Sequence, residues 1–403
     1  VSKLTTATKR LLVGRPFRSD RLAHTLLPKR IALPVFASDA LSSVAYAPGE
    51  IFATLSVAGL AAYAYAPWIA GLVALVMVVV VLSYRQNVHA YPSGGGDYEV
   101  VTKNLGPTYG LLVASALLVD YILTVAVSTA AGVANIGSAV QIVGDHPVLF
   151  SVGIIVLVCA ANLRGIRESG SAFAIPVYAF IFSIYAMIAT GIVEFVIGAD
   201  VQAQSASFHL QAESSLAGFA LVFLLLKSFS SGSAALTGVE AISNGVPAFK
   251  KPKSKNAATT LGLMAALSVS MMLGLVALTL YTGVQYADDP SRQLLGAPEG
   301  YFQKTLIAQI AEAVFAGFPL GFYIVSFVTG LILVLACNTA FNGFPVLGSI
   351  LAQDRFLPRQ LHTRGDRLAF SNGIVFLAVV AIILVIAFQA KVNALIQLYI
   401  VGV

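Results

Sequence analysis

Ser38-Asp39-Ala40-Leu41-Ser42-Ser43-Val44-Ala45-Tyr46 and, 195 residues on, Ala235-Leu236-Thr237-Gly238-Val239-Glu240-Ala241 decide the fold. Both stretches interrupt long apolar runs with hydroxyls, glycine and a carboxylate, where a lipid-facing helix would carry leucine. Ser228-Phe229-Ser230-Ser231-Gly232-Ser233 extends the polar character of the second. Unwound backbone at membrane depth is tolerated only where it is buried in protein or lines a cavity. Such breaks expose carbonyl oxygens and half-helix ends that suit a cation, although small residues also permit close helix packing. A weaker echo links Ala126-Val127-Ser128-Thr129-Ala130 with Ala336-Cys337-Asn338-Thr339-Ala340, offset by 210. The extra length before the second copy reads as a longer outer loop, with a short surface helix from Tyr301 to Phe315. Five apolar runs separate the members of each pair. Five is odd, so the copies insert in opposite directions, which is the trace of an inverted repeat.

Around these motifs, 58% of the 403 residues are hydrophobic and 10% charged, with a mean hydropathy of +0.86, too apolar for a soluble domain. Runs able to span a membrane at about 20 residues each fall near 33–58, 66–84, 107–137, 148–163, 170–198, 217–245, 258–284, 318–351, 370–388 and 392–403. This predicts an all-α integral membrane protein. A basic N-terminal segment (1–32) precedes one transmembrane domain (33–403), with a first repeat at about 33–198 and a second at about 217–403. The tenth run is cut by the end of the sequence, so the second repeat is expected to be incomplete. Cys159 and Cys337 both lie in apolar runs and offer no disulfide framework or metal motif. No phosphate loop, nucleophile elbow or histidine cluster points to an enzyme or a cofactor. The net charge of +6 is spread over short loops rather than one stripe, so nucleic acid is not an expected partner.

Those loop charges report orientation. The leading segment lacks a cleavable signal pattern and holds Lys3, Lys9, Arg10, Arg15, Arg18, Arg21, Lys29 and Arg30. Alternate turns add Arg85, Lys103, Arg164, Arg167, Lys250, Lys251, Lys253, Lys255, Arg355, Arg359, Arg364 and Arg367. Twenty of the 24 basic residues thus share one side, against Arg292, Lys304 and Lys391 on the other. The N-terminus is expected to be cytoplasmic.

Carboxylates inside spans are functional hypotheses. Asp39 sits in the first break, where it could also cap the outer half-helix. Asp120, Thr124 and Ser128 follow one another at four-residue spacing on one helix face, with Tyr121 beside them. That stripe suits a wet interior or an interhelical hydrogen-bond seam. Glu240 occupies the place that Ala45 fills in the first copy, and an unmatched carboxylate there suits a proton carrier. Lys227 could neutralise a carboxylate or snorkel. Glu50 and Glu194 are expected to be solvated at outer span ends. The glycine run of Tyr91-Pro92-Ser93-Gly94-Gly95-Gly96-Asp97-Tyr98 marks backbone that bends freely or packs closely. No arginine row or channel filter is present.

These segments resemble the KimA-type high-affinity potassium importers, grouped with KUP/HAK/KT-like potassium transporters in the amino acid–polyamine–cation superfamily. The resemblance is carried by Ser38 to Tyr46, Ala90-Tyr91-Pro92 with its glycines, Leu117 to Ser128, Ala235 to Asn244 and Arg364-Gly365-Asp366-Arg367, and it covers nearly the whole chain. It implies a five-plus-five inverted-repeat (LeuT-like) core with two extra spans beyond this sequence, in a bacterial inner membrane. It implies potassium–proton symport, and a homodimer joined through a cytoplasmic domain that binds cyclic di-AMP. By motif, potassium would meet Asp39, Tyr46, Asp120, Tyr121, Thr124, Ser128, Thr237 and Tyr399, and protons would couple through Glu240 with Asp39 and Asp120. Neutral oxygens with one or two carboxylates suit a large, weakly polarising cation. Rival readings are an amino-acid permease on the same scaffold, a cation channel and a nontransporting receptor. In the permease, Asp39 would repel a substrate carboxylate.

Overall fold

A computed structural model describes residues 26–92, 94, 96–164, 170–213, 216–362 and 370–402. Arg364-Gly365-Asp366-Arg367, Arg167, Ser93, Gly95 and the basic residues up to Arg21 lie outside the described residues.

Span one is split into α1 (Lys29–Ser43) and α2 (Ala47–Ser56). Span two is α3 (Ala66–Ala90), followed by a short helix α4 (Asp97–Leu105). Span three is α5 (Pro107–Ala139); a single turn, α6 (Gln141–Asp145), leads to span four, α7 (Pro147–Leu163), and span five, α8 (Gly170–Val196). A two-residue strand, β1 (His209–Leu210), precedes span six, which is split into α9 (Phe219–Gly232) and α10 (Glu240–Asn244). Span seven is α11 (Lys253–Tyr281). The connection beyond it holds α12 (Pro290–Gln293), β2 (Leu294–Leu295), paired antiparallel with β1, and α13 (Leu306–Val314). Spans eight to ten are α14 (Pro319–Gln353), α15 (Ser371–Ala387) and α16 (Val392–Gly402). Among the described residues seven spans are long and apolar enough to cross a membrane. Spans four, nine and ten are shorter apolar helices where the sequence predicts its other three runs.

Local chemistry sets the helix limits. Proline stands in the first turn of α2, α3, α5, α7 and α14, where its missing N–H costs no intrahelical bond. On α3, Trp68, Leu72, Leu75, Val79 and Leu82 form an exposed apolar stripe opposite buried Val73, Met77 and Val81. Apolar residues on both faces are what lipid on one side and protein on the other require.

The packing repeats with a five-span shift. Span one meets span six through α2 and α9, span two meets seven, span three meets eight, and span four meets nine. Further contacts come in matched pairs: three packs on ten as eight packs on five, and three on four as eight on nine. This is the interlocked arrangement of a five-plus-five inverted repeat. The two repeats come closest where α5 meets α14, and a Cβ on Gly132 there would lie 3.1 Å from the Gly330 carbonyl. α5 runs for 33 residues, about 50 Å at 1.5 Å per residue, longer than a hydrocarbon core and therefore tilted or protruding.

Three expectations are corrected. The helix between spans seven and eight is not on the surface: Leu306, Ile307, Ala308, Ile310 and Ala311 are all buried. It packs against α5, α8 and α14, with Thr305 capping its first turn at the Ala308 amide and donating to Asn135 Oδ1 of α5 at 2.9 Å. Asp39 does not cap the outer half-helix, since it lies inside α1, one turn before the break. Glu50 is buried, because α2 turns its first-turn carboxyl inward, whereas Glu194 is half-buried.

Candidate functional site

The first break arises where hydroxyls compete with the helix ladder. Ser42 and Ser43 both donate to the Asp39 carbonyl, at 2.8 and 3.0 Å. The ladder then tightens, with Ala45 N donating to Ser42 O and Tyr46 N to Ser43 O, before α2 restarts at Ala47-Pro48. In the second break, Thr237 Oγ1 bonds back to the Ala234 carbonyl at 3.0 Å, and Gly238 takes φ +76°, a left-handed conformation natural to glycine. The two breaks touch. A Cβ on Gly238 would stand 2.7 Å from Asp39 Cβ and 2.8 Å from the Ala40 amide nitrogen.

That junction joins hydroxyls from the two repeats. Ser43 Oγ lies 2.7 Å from Thr237 Oγ1 and 2.9 Å from the Tyr46 hydroxyl. One side of the junction is walled by α5, which presents Asp120, Tyr121, Thr124 and Ser128, all buried. Thr124 Oγ1 lies 2.9 Å from the hydroxyl of Tyr399 on α16, itself fully buried. The Tyr121 ring leaves no room for a side chain at Gly343 of α14. Asp39 is 4% exposed, and its Oδ1 has no hydrogen-bond partner. Glu240 opens α10 and is half-buried, beside the backbone amides of Gly238 and Glu240. Asp39, Asp120 and Glu240 lie close enough to act on one another electrostatically, and among the described residues no salt bridge reaches any of them.

The nine residues that the sequence assigns to cation or proton therefore fall on the junction or its α5 and α16 walls, with Ser128 one turn along α5 from Thr124. Others were missed. Ser43 is the bridge between the repeats, although its motif was visible. Cys337 of α14, fully buried with its Sγ 3.8 Å from the Val125 carbonyl, is near enough to Asp39 to feel its charge. Towards the face where α1 begins, the Tyr84 hydroxyl donates to Asp97 Oδ2 at 2.7 Å, and Asp97 acts electrostatically on Glu240. Burial pushes the Asp97 carboxyl above the ordinary carboxylate range, and the Tyr84 hydrogen bond offsets part of that. Lys227 is exposed, and with Asp288 it lies within electrostatic range of Glu50.

A carboxylate-lined junction of two broken helices in an inverted repeat defines a polytopic, all-α membrane transporter. The chain belongs to the amino acid permease family, which it matches over residues 36–403. It is 43% identical over 395 residues to the potassium transporter KimA of Bacillus subtilis, a match covering 98% of this chain and 62% of that protein. The chain thus spans about three fifths of the length of that relative. It is also similar, at 15% identity and a TM-score of 0.45, to a crystal structure of a manganese transporter from Eremococcus coleocola, over 92% of this chain and 75% of the other.

Proposed function

We propose that this protein is a potassium–proton symporter working by alternating access. The observation that carries this reading is the unpartnered Asp39 Oδ1, buried at the meeting of two helix breaks with Asp120 and Glu240 in electrostatic range. A buried anion without a counter-charge is costly, and a bound cation supplies that charge. Tyr46, Thr124, Ser128, Thr237 and Tyr399 offer neutral oxygens of the kind a weakly hydrated monovalent ion prefers. The 43% identity to a protein named as a potassium transporter supports the choice of ion.

Glu240 is the proton carrier in this scheme, because it is the carboxylate of the three that is only half-buried. Cation and proton together offset two of the three carboxylate charges, and the bundle of spans one and six rocks against spans three and eight to expose the junction to each side in turn. The charge distribution supports an N-terminus on the cytoplasmic side of a bacterial inner membrane. The homodimer and its control by cyclic di-AMP are proposed for the full-length protein and tested there by mass in detergent and by nucleotide titration. An amino-acid substrate is disfavoured because its carboxylate would enter a site already holding three.

The test is potassium uptake by the full-length protein in liposomes, with and without an inward proton gradient. Gradient-driven uptake is expected, abolished by Asp120→Asn and uncoupled from the gradient by Glu240→Gln. Unchanged proton-coupled uptake by a folded Glu240→Gln protein removes the coupling role, and flux of amino acids in place of potassium removes the substrate.

A further inference from the structure

Within electrostatic range of Glu240, on the face where α1 begins, three elements meet that belong to different moving parts. α3 packs along α11, and α10 packs on both, so these travel with the bundle; α4 packs on α5 and travels with the scaffold. The Tyr84 hydroxyl of α3 donates to Asp97 Oδ2 at the start of α4, at 2.7 Å. Next to it, Gly96 lies so close to α10 that a Cβ there would come within 2.4 Å of Asn244 Oδ1, an oxygen with no hydrogen-bond partner. The next residue of α4 is tied to the scaffold as well, since the Tyr98 hydroxyl donates to Asp354 Oδ2, just past α14, at 2.7 Å. The Tyr84–Asp97 hydrogen bond therefore crosses from bundle to scaffold, while its neighbours hold α4 in place.

We propose that Tyr84 and Asp97 are positioning residues that latch the inner side of the transport path: their hydrogen bond holds bundle to scaffold and must break before the junction opens to the cytoplasm. Asp97 also faces Glu240 electrostatically, so a change of charge at Glu240 is felt at the latch. The inference rests on the alternating-access reading given above, and nothing in it depends on which ion is carried.

Cys337 is a native reporter, fully buried beside the junction and close to Asp39. In the full-length protein, with Cys159 and any other thiol replaced by serine, inside-out vesicles are treated with a charged, membrane-impermeant methanethiosulfonate reagent. Tyr84→Phe is expected to speed Cys337 modification by about fivefold, the equilibrium worth of one ordinary hydrogen bond. Asp97→Ala, which removes the acceptor, should match it. Asp97→Asn, whose amide oxygen still accepts from Tyr84, should stay near the parent rate. In uptake assays, Tyr84→Phe should alter the maximal rate and leave the half-saturating external potassium concentration unchanged, a split that a general loss of structure does not produce. An unchanged modification rate in Tyr84→Phe, or acceleration there without acceleration in Asp97→Ala, overturns the latch. If the parent protein carries no potassium, the ion assignment fails while the modification rates still decide the latch.

Discussion

The first and second breaks hold equivalent places in the two repeats and are built by different means. The first is closed by its own hydroxyls: Ser42 and Ser43 bond back to Asp39, and Ser38 to Tyr46 are all buried. The second depends on the left-handed backbone of Gly238 and leaves Glu240 half-buried. One break thus supplies a fixed, enclosed carboxylate and the other a carboxylate within reach of exchange. In the proposed symport this asymmetry gives Asp39 the cation and Glu240 the proton.

The largest effect is expected where the breaks interlock. Gly238→Ala places a methyl group 2.7 Å from Asp39 Cβ and forces a left-handed alanine, which together cost about 2–4 kcal/mol. A lowered melting temperature in detergent and lost uptake are expected. A variant as stable and active as the parent would mean that the two breaks do not need this contact. Next come the carboxylates compared directly. Asp39→Asn should raise the half-saturating potassium concentration on the order of 100-fold, equivalent to about 3 kcal/mol, whereas Glu240→Gln should keep potassium binding and lose its dependence on protons. Equal losses of binding in the two variants would erase the division of labour. Smaller again are Ser43→Ala and Thr237→Val. Each removes one side of the same hydroxyl bridge, at about 1 kcal/mol, and the double variant should cost little more than either single one in a potassium titration.

Much of this asymmetry was legible in the sequence, and the reasons differ by residue. Glu240 stood out because Ala45 fills the matching place, and the α5 stripe because Asp120, Thr124 and Ser128 share a face at helical spacing. The ten spans were visible because lipid demands continuous apolar runs. The exact turn at which a helix breaks was not, because it depends on Ser42 and Ser43 choosing the Asp39 carbonyl over other partners, so Asp39 belongs to α1 rather than to the gap. The Leu306–Val314 helix looked like a surface element because it is short, and its burial comes from α5 and α14 folding around it. Cys337 could not be placed by its own segment, since its nearness to Asp39 exists only once span eight lies against span one.

An effect of the same size is expected outside both breaks, at Thr124 and Tyr399. Their hydroxyls, 2.9 Å apart, join the first repeat to the second at the wall of the junction. Tyr399→Phe removes one partner from a fully buried pair, so Thr124 Oγ1 loses its bond, at about 1 kcal/mol or roughly fivefold in half-saturating potassium. Thr124→Val removes the other partner at similar cost, and a double-mutant cycle should return a coupling of about 0.5–1 kcal/mol. If this pair only joins helices, the coupling appears equally in thermal stability with and without potassium. If both oxygens also contact the ion, the coupling grows when potassium is present, because the bound state then needs both at once. A cost for Tyr399→Phe well above that of Ser43→Ala would move the centre of the ion site from the meeting of the breaks towards the α5–α16 wall.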